Sequence, residues 1–144
     1  DALPEKLKRA LELGADAVYS PEEAAAGGIR AALTVEAAGH PRAFETAVNL
    51  TAPGGTTVTV GLPAPDQRSE ITPLTLTAEA RTIIGSYLGS AVPSRDIPVY
   101  AELWRQGKLP VEELVSSEVA LEDINEAMDT LADGQAIRQV IHFD

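Results

Sequence analysis

Apolar residues recur along the chain in short blocks whose spacing switches between helical and extended. Glycine or proline closes each block. Leu7, Ala10, Leu11 and Leu13 make one helical face between Pro4 and Gly14. Proline suits the first helical position and glycine the residue after the last turn. Lys6, Lys8 and Arg9 lie largely off that stripe. Ala17-Val18-Tyr19 predicts a short strand, and Pro21-Glu22-Glu23 opens a helix that Gly27-Gly28 ends. Ala31 to Val35 predicts a strand of the buried type, stopped at Gly39-His40-Pro41. A helix from Pro41 to about Leu50 follows, with Phe44, Ala47 and Val48 facing inward.

Pro53-Gly54-Gly55 predicts a turn, and the β-branched run Thr56 to Val60 a strand ending at Gly61-Leu62-Pro63. Ala64 to Glu70 reads as a polar loop. Ile71 to Thr77 alternates like a strand, and Pro73 inside it argues for an edge position. Thr82 to Tyr87 is a further strand. Pro93 to Gln106 predicts a helix with Ile97, Tyr100, Ala101 and Trp104 on one face. Leu114 to Val119, Leu121 to Leu131 and Ile137 to Phe143 read as strand, helix and strand. Alternating strands and helices with glycine at the strand ends point to a parallel, doubly wound α/β sheet.

The formal net charge is −11, from 22 acidic and 11 basic residues. Such a surface repels phosphate backbones and anionic lipids, which excludes nucleic acid and membrane as natural partners. Hydrophobic residues make up 44% of the 144 positions, enough for one domain over residues 1–144 with its own core. No apolar run approaches a bilayer-spanning length. The chain opens on Asp1 with neither initiator Met nor signal peptide and runs at once into helix, as the cut edge of a longer protein would. There is no Cys, so disulfides and a Cys-bearing zinc site are excluded. His40 and His142 have no ligand spacing between them, so any zinc ligands belong outside this chain.

In open α/β sheets, ligands bind beyond the C-terminal ends of the strands. Three such ends carry small or backbone-rich segments: Ala37-Ala38-Gly39-His40, Gly61-Leu62-Pro63 and Gly85-Ser86-Tyr87-Leu88-Gly89-Ser90. Each suits the close approach of a flat heterocycle or an amide; any one alone reads equally as an ordinary turn. No catalytic group stands out. There is no Gly-x-Ser-x-Gly elbow, and Glu22-Glu23 and Glu112-Glu113 read as solvated charges at helix starts.

Val35-Glu36-Ala37-Ala38-Gly39, Pro53-Gly54-Gly55-Thr56 and Val60-Gly61-Leu62-Pro63 resemble the medium-chain dehydrogenase/reductase superfamily. So do Gly85 to Ser90, Ile124-Asn125-Glu126-Ala127 and Gly134-Gln135-Ala136-Ile137-Arg138, in order along almost the whole chain. The zinc-type alcohol dehydrogenase branch fits best. The resemblance implies the C-terminal part of a dinucleotide-binding domain plus a C-terminal helix and strand return. That is a partial Rossmann-type doubly wound parallel sheet lacking its first strand, first helix and most of the second strand. It implies NAD as cofactor, because Asp1 matches the acidic residue that meets the adenosine ribose and disfavours a 2′-phosphate. Lys6 would lie near that ribose, and Ala38, Gly39 and His40 on the adenosine side. Leu62, Ser86 and Leu88 would meet the nicotinamide carboxamide through their backbones, and Arg138 would pair with the pyrophosphate.

The resemblance further implies an alcohol or aldehyde substrate and a catalytic zinc held outside this chain, so the isolated chain is expected to be inactive. It implies a homodimer through an edge strand at Ile71 to Thr77. With strands missing, association or loss of order in the first thirty or so residues is expected. A cytoplasmic location follows from the NAD chemistry and the lack of signals. Two other readings stand beside this one. A zinc-free quinone or enoyl reductase of the same superfamily usually prefers NADP, against Asp1. A non-catalytic oligomerisation module would be a stand-alone half-fold.

Overall fold

A computed structural model describes residues 1–143. The chain divides into two compact units, Asp1–Ala91 and Val92–Asp144.

The first unit contains α1 (Pro4–Glu12), α2 (Pro21–Ala26), β1 (Ala31–Glu36), α3 (Pro41–Leu50), β2 (Thr51–Thr59), α4 (Pro73–Ala78) and β3 (Thr82–Gly85). All four helices start on proline, whose missing N–H costs nothing in the first turn. At α2 a capping box adds to this. Glu23 N donates to Ser20 Oγ at 3.1 Å, and Ser20 N donates to Glu23 Oε2 at 2.8 Å. The three strands are parallel in the order β1-β2-β3, with Val35, Val58 and Ile84 in one register row and Thr34, Thr57 and Ile83 in the next.

Successive rows point to opposite faces. The Thr34 row faces α3, where Ala47 and Val48 are buried. Thr51 and Thr57 are 0% and 1% exposed there, so their hydroxyls must find partners inside. They do: Thr51 Oγ1 lies 2.6 Å from Thr57 Oγ1 and 2.7 Å from Thr34 Oγ1, and Thr51 also bonds Ala47 O at 2.8 Å. The opposite face is uncovered in this unit. Leu33 and Val35 are each 60% exposed on that face, so β1 lacks the burial its apolar run suggests; by strand order it is also an edge of the three-stranded sheet. Phe44, expected inward, is half-buried.

Several other expectations are corrected. Ala17 to Tyr19 forms no strand. Its carbonyl at Tyr19 takes a 3.2 Å bond from the Asp1 ammonium, but a strand needs a ladder along its length and none is present. The helices α1 and α2 lie within the first thirty residues. Pro53-Gly54-Gly55 is a bulge inside β2, not a turn before it. Ala31 pairs with Thr51 and Leu33 with Thr56, so two steps on β1 meet five on β2. Gly54 takes φ +74° there and donates to Glu79 O at 2.7 Å.

Ile71 to Thr77 is not a strand. Thr72 precedes α4, Pro73 is its first residue, and Glu79 N closes the turn on Thr75 O. A short run with apolar residues at 71, 74 and 76 fits either period, and the proline at N1 decides for helix. The strand-to-strand dimer contact expected at Ile71 to Thr77 therefore has no strand to make it. The strand predicted over Thr82 to Tyr87 stops at Gly85 and continues as a tight turn, Tyr87–Ser90.

The second unit contains α5 (Pro93–Arg105), β4 (Val115–Ala120), α6 (Ile124–Ala132) and β5 (Arg138–His142). β4 and β5 pair in parallel with α6 between them in sequence, and Ala127 and Ala136 are buried. Asp96 accepts from Val92 N at 2.7 Å at the start of α5. Its hydrogen bonds from the Arg95 guanidinium, and then from Val92 N, hold its carboxyl below the usual carboxylate range. Ile97, Tyr100 and Trp104 are exposed on α5, although the pattern placed them on one apolar face.

Candidate functional site

The C-terminal end of β1 opens onto a cleft of about 690 Å³ within the first unit. Asp1, Ala2, Pro21 and Glu22 contribute to one part of its lining; Thr34 to Ala38, Arg42, Ala43, Thr46, Ala47 and Leu50 contribute the rest. Side chains at the strand end are small, so a flat group can approach the backbone at Ala37 and Ala38. The lining carries the acidic residues Asp1, Glu22 and Glu36 and the basic residue Arg42. That balance favours ligand hydroxyls, which can donate, over a phosphate, which cannot. Asp1 Oδ1 accepts from Leu3 N at 2.9 Å, so the carboxylate is fixed at the start of α1.

Beside the cleft, two strand-end loops touch backbone to backbone. Gly39 has φ +67°, and a Cβ on it would sit 2.8 Å from Leu62 N. A Cβ on Gly61 would fall on Gly39 N and lie 2.5 Å from Gly39 Cα. His40 precedes α3 and its Nδ1 accepts from Arg42 N at 3.2 Å. Leu62 is 73% exposed at the rim. The third loop hangs from β2: Ser86 N donates to Thr59 O at 2.9 Å. Ser86 Oγ pairs with Ser90 Oγ at 2.9 Å, and Leu88 is exposed in left-handed backbone at φ +49°.

Of the residues expected at a site, Asp1 and Ala38 share the cleft. Gly39, His40 and Leu62 meet at the adjoining loops. Lys6 is half-buried on α1, outside the lining. Arg138 belongs to the second unit, exposed, with a 3.5 Å contact to Ile137 O. Sequence reasoning did not single out Glu36 as functional, although it is 4% exposed at the strand end. Its one signal is a carboxylate closing an apolar strand directly before Ala-Ala-Gly. Among the described residues no group of three or more His, Cys, Asp or Glu could hold a metal ion, so a zinc ion does not fit this chain's own donor set.

A profile of the family described as zinc-binding dehydrogenase matches residues 1–106. Geraniol dehydrogenase of Castellaniella defragrans is 36% identical over 143 residues, covering 93% of this chain and 38% of its own. NDMA-dependent alcohol dehydrogenase of Amycolatopsis methanolica is 31% identical over 152 residues, covering 98% and 41%. Among solved structures, the alcohol dehydrogenase zinc-binding domain protein from Burkholderia ambifaria has a TM-score of 0.89 at 27% identity. That match covers 100% of this chain and 40% of the other. The chain thus spans about two fifths of the length of these relatives. The fold is a partial, Rossmann-type α/β arrangement of parallel strands.

Proposed function

The chain belongs to the zinc-binding dehydrogenase family, and on that premise we propose that it supplies the adenosine-binding side of the coenzyme domain of an NAD-dependent, zinc-type alcohol dehydrogenase. The observation that carries this reading is the cleft holding Asp1 and Ala2 together with Ala37 and Ala38 at the end of β1. The adenine ring lies against the small side chains of Ala37 and Ala38, and Asp1 accepts from the ribose hydroxyls. Lys6 adds a cation near that ribose. The backbones of Leu62, Ser86 and Leu88 orient the nicotinamide carboxamide from the neighbouring loops.

These residues bind and orient. The zinc, bound elsewhere in the longer protein, supplies Lewis-acid polarisation of the substrate oxygen when present. The substrate is a small alcohol or aldehyde, and the protein is oligomeric and cytoplasmic. No helix among the described residues is long and apolar enough to cross a membrane. The acidic lining counts against the NADP-dependent quinone or enoyl reductase reading.

The test is coenzyme selectivity in the longer dehydrogenase that carries this sequence. Asp1→Gly removes an ionised acceptor from two ribose hydroxyls. The ratio of kcat/KM for NAD to that for NADP is expected to fall about 100-fold. An unchanged ratio would overturn the placement of the ribose at Asp1.

A further inference from the structure

Glu36 occupies a position with more hydrogen bonding than a strand end requires. Its carboxylate is 4% exposed, a costly place for a charge unless several donors hold it. Oε1 accepts from Gly39 N at 2.7 Å, and Oε2 accepts from Thr59 Oγ1 at 2.9 Å. Its backbone carbonyl accepts from Val60 N at 2.8 Å and Gly61 N at 3.2 Å. One residue therefore joins the loop after β1 to the end of β2. Thr59, its register partner in the sheet, passes the connection on, because Thr59 O receives Ser86 N at 2.9 Å. The three loops at the C-terminal edge of the sheet meet at this carboxylate and its threonine.

The fit is close on every side. Backbone atoms of the Gly39 and Leu62 segments leave no room for a Cβ on Gly39 or Gly61, and a Cβ on Gly61 would also lie 2.9 Å from Glu36 Oε2. Where loops pack this tightly, their spacing is set by what ties them. An apolar residue of similar volume at 36 would fill the space but leave Gly39 N and Thr59 Oγ1 without their acceptor.

We infer that Glu36 is a positioning residue: its buried carboxylate sets the spacing of the Gly39-His40, Gly61-Leu62 and Ser86-Leu88 loops, and through them the affinity for coenzyme. This rests on the coenzyme reading above. Glu36 acts through the loops and touches no reacting atom, so its removal weakens coenzyme binding and leaves the chemical step nearly intact.

Two measurements test it. In this chain, amide hydrogen exchange is compared between the native sequence, Glu36→Gln and Glu36→Ala. In the longer dehydrogenase, coenzyme KM and kcat are measured for the same variants and for Asp1→Gly. Glu36→Ala is expected to speed exchange at Gly39 by at least about tenfold and to raise coenzyme KM by a similar factor, with kcat at saturating coenzyme within about threefold of native. Glu36→Gln keeps an oxygen for Gly39 N and can donate to Thr59 Oγ1, so it recovers most of both effects. If Glu36→Ala does not fold, a smaller shift in the same two quantities in Glu36→Gln carries the inference, and no shift overturns it. Unchanged exchange at Gly39 overturns it as well. Faster exchange with unchanged coenzyme KM, while Asp1→Gly alters coenzyme preference, overturns it and leaves the coenzyme reading standing. If neither Asp1→Gly nor the Glu36 variants alter any coenzyme parameter, the coenzyme reading fails and the inference fails with it.

Discussion

Gly61→Ala is expected to destabilise the chain by about 3 kcal/mol, the upper end for overpacking a tight site. The added methyl group would fall on the backbone nitrogen of Gly39 and lie 2.5 Å from its Cα, with Glu36 Oε2 at 2.9 Å on another side. Backbone cannot rotate away as a flexible side chain can, so the two loops must separate. Separation would also break the bonds that Glu36 makes to Gly39 N and Gly61 N. Gly85→Ala is the control. Gly85 lies in β3 with nothing within 4 Å of its added Cβ, so its effect is expected to stay within about 0.5 kcal/mol. Urea unfolding of the two variants reads the difference. Equal midpoints would show that the loops are not in the contact described.

Arg81→Met is expected to cost about 2 kcal/mol. The Arg81 side chain is 6% exposed, yet carries a charge. It is stable there because Nη1 donates to Val48 O at 2.6 Å in the last turn of α3 and Nε donates to Glu79 Oε2 at 2.7 Å, with a second guanidinium nitrogen on the same carboxylate. A cation at a helix C-terminus also meets the negative end of the helix dipole. Methionine preserves the packing but leaves the Val48 carbonyl without this donor. Glu79 is 36% exposed and can turn to water, which keeps the loss below that of a fully buried pair. Arg81→Lys is expected to recover part of the loss, since an ammonium lacks the planar fork that serves both acceptors. Thermal or urea unfolding that ranks Lys no better than Met would show that packing, not hydrogen bonding, holds this side chain.

Helix starts were the most legible feature of the sequence. Pro4, Pro21, Pro41 and Pro93 each announced a helix, because a fixed φ and a missing donor are harmless only at that place in a continuous pattern. Pro73 carried the same signal and was read as an edge-strand proline. Its neighbours are threonines and leucines in near-alternation, and the run is too short for either period to win. Ala17-Val18-Tyr19 failed for a different reason: a strand is made by its neighbour, and an apolar triplet does not specify one. The apolar run of β1 pointed correctly to a strand but misled on burial, because Leu33 and Val35 lie on a face that nothing in the first unit covers.

The candidate site was legible only where a residue type and its place in the order coincide. Asp1 and Ala38 could be named from the family pattern, and the fold brings both into one cleft. Glu36 could not be named. A glutamate after an apolar run looks like a solvated strand end. Its burial exists only once Thr59 and Gly39, 23 positions ahead and three ahead, arrive around it.

Binding of ADP-ribose to this chain, followed residue by residue through backbone amide shifts, tests the central claim most directly. Because the chain spans about two fifths of its relatives' length, the affinity is expected in the millimolar range, about 4 kcal/mol of binding. The expected result is a saturable set of shifts confined to Ala2, Ala37, Ala38 and the first turn of α3, much weaker with the 2′-phosphorylated analogue. Shifts that fall elsewhere, that fail to appear up to about 10 mM, or that favour the 2′-phosphate would contradict an NAD-type adenosine site at the end of β1.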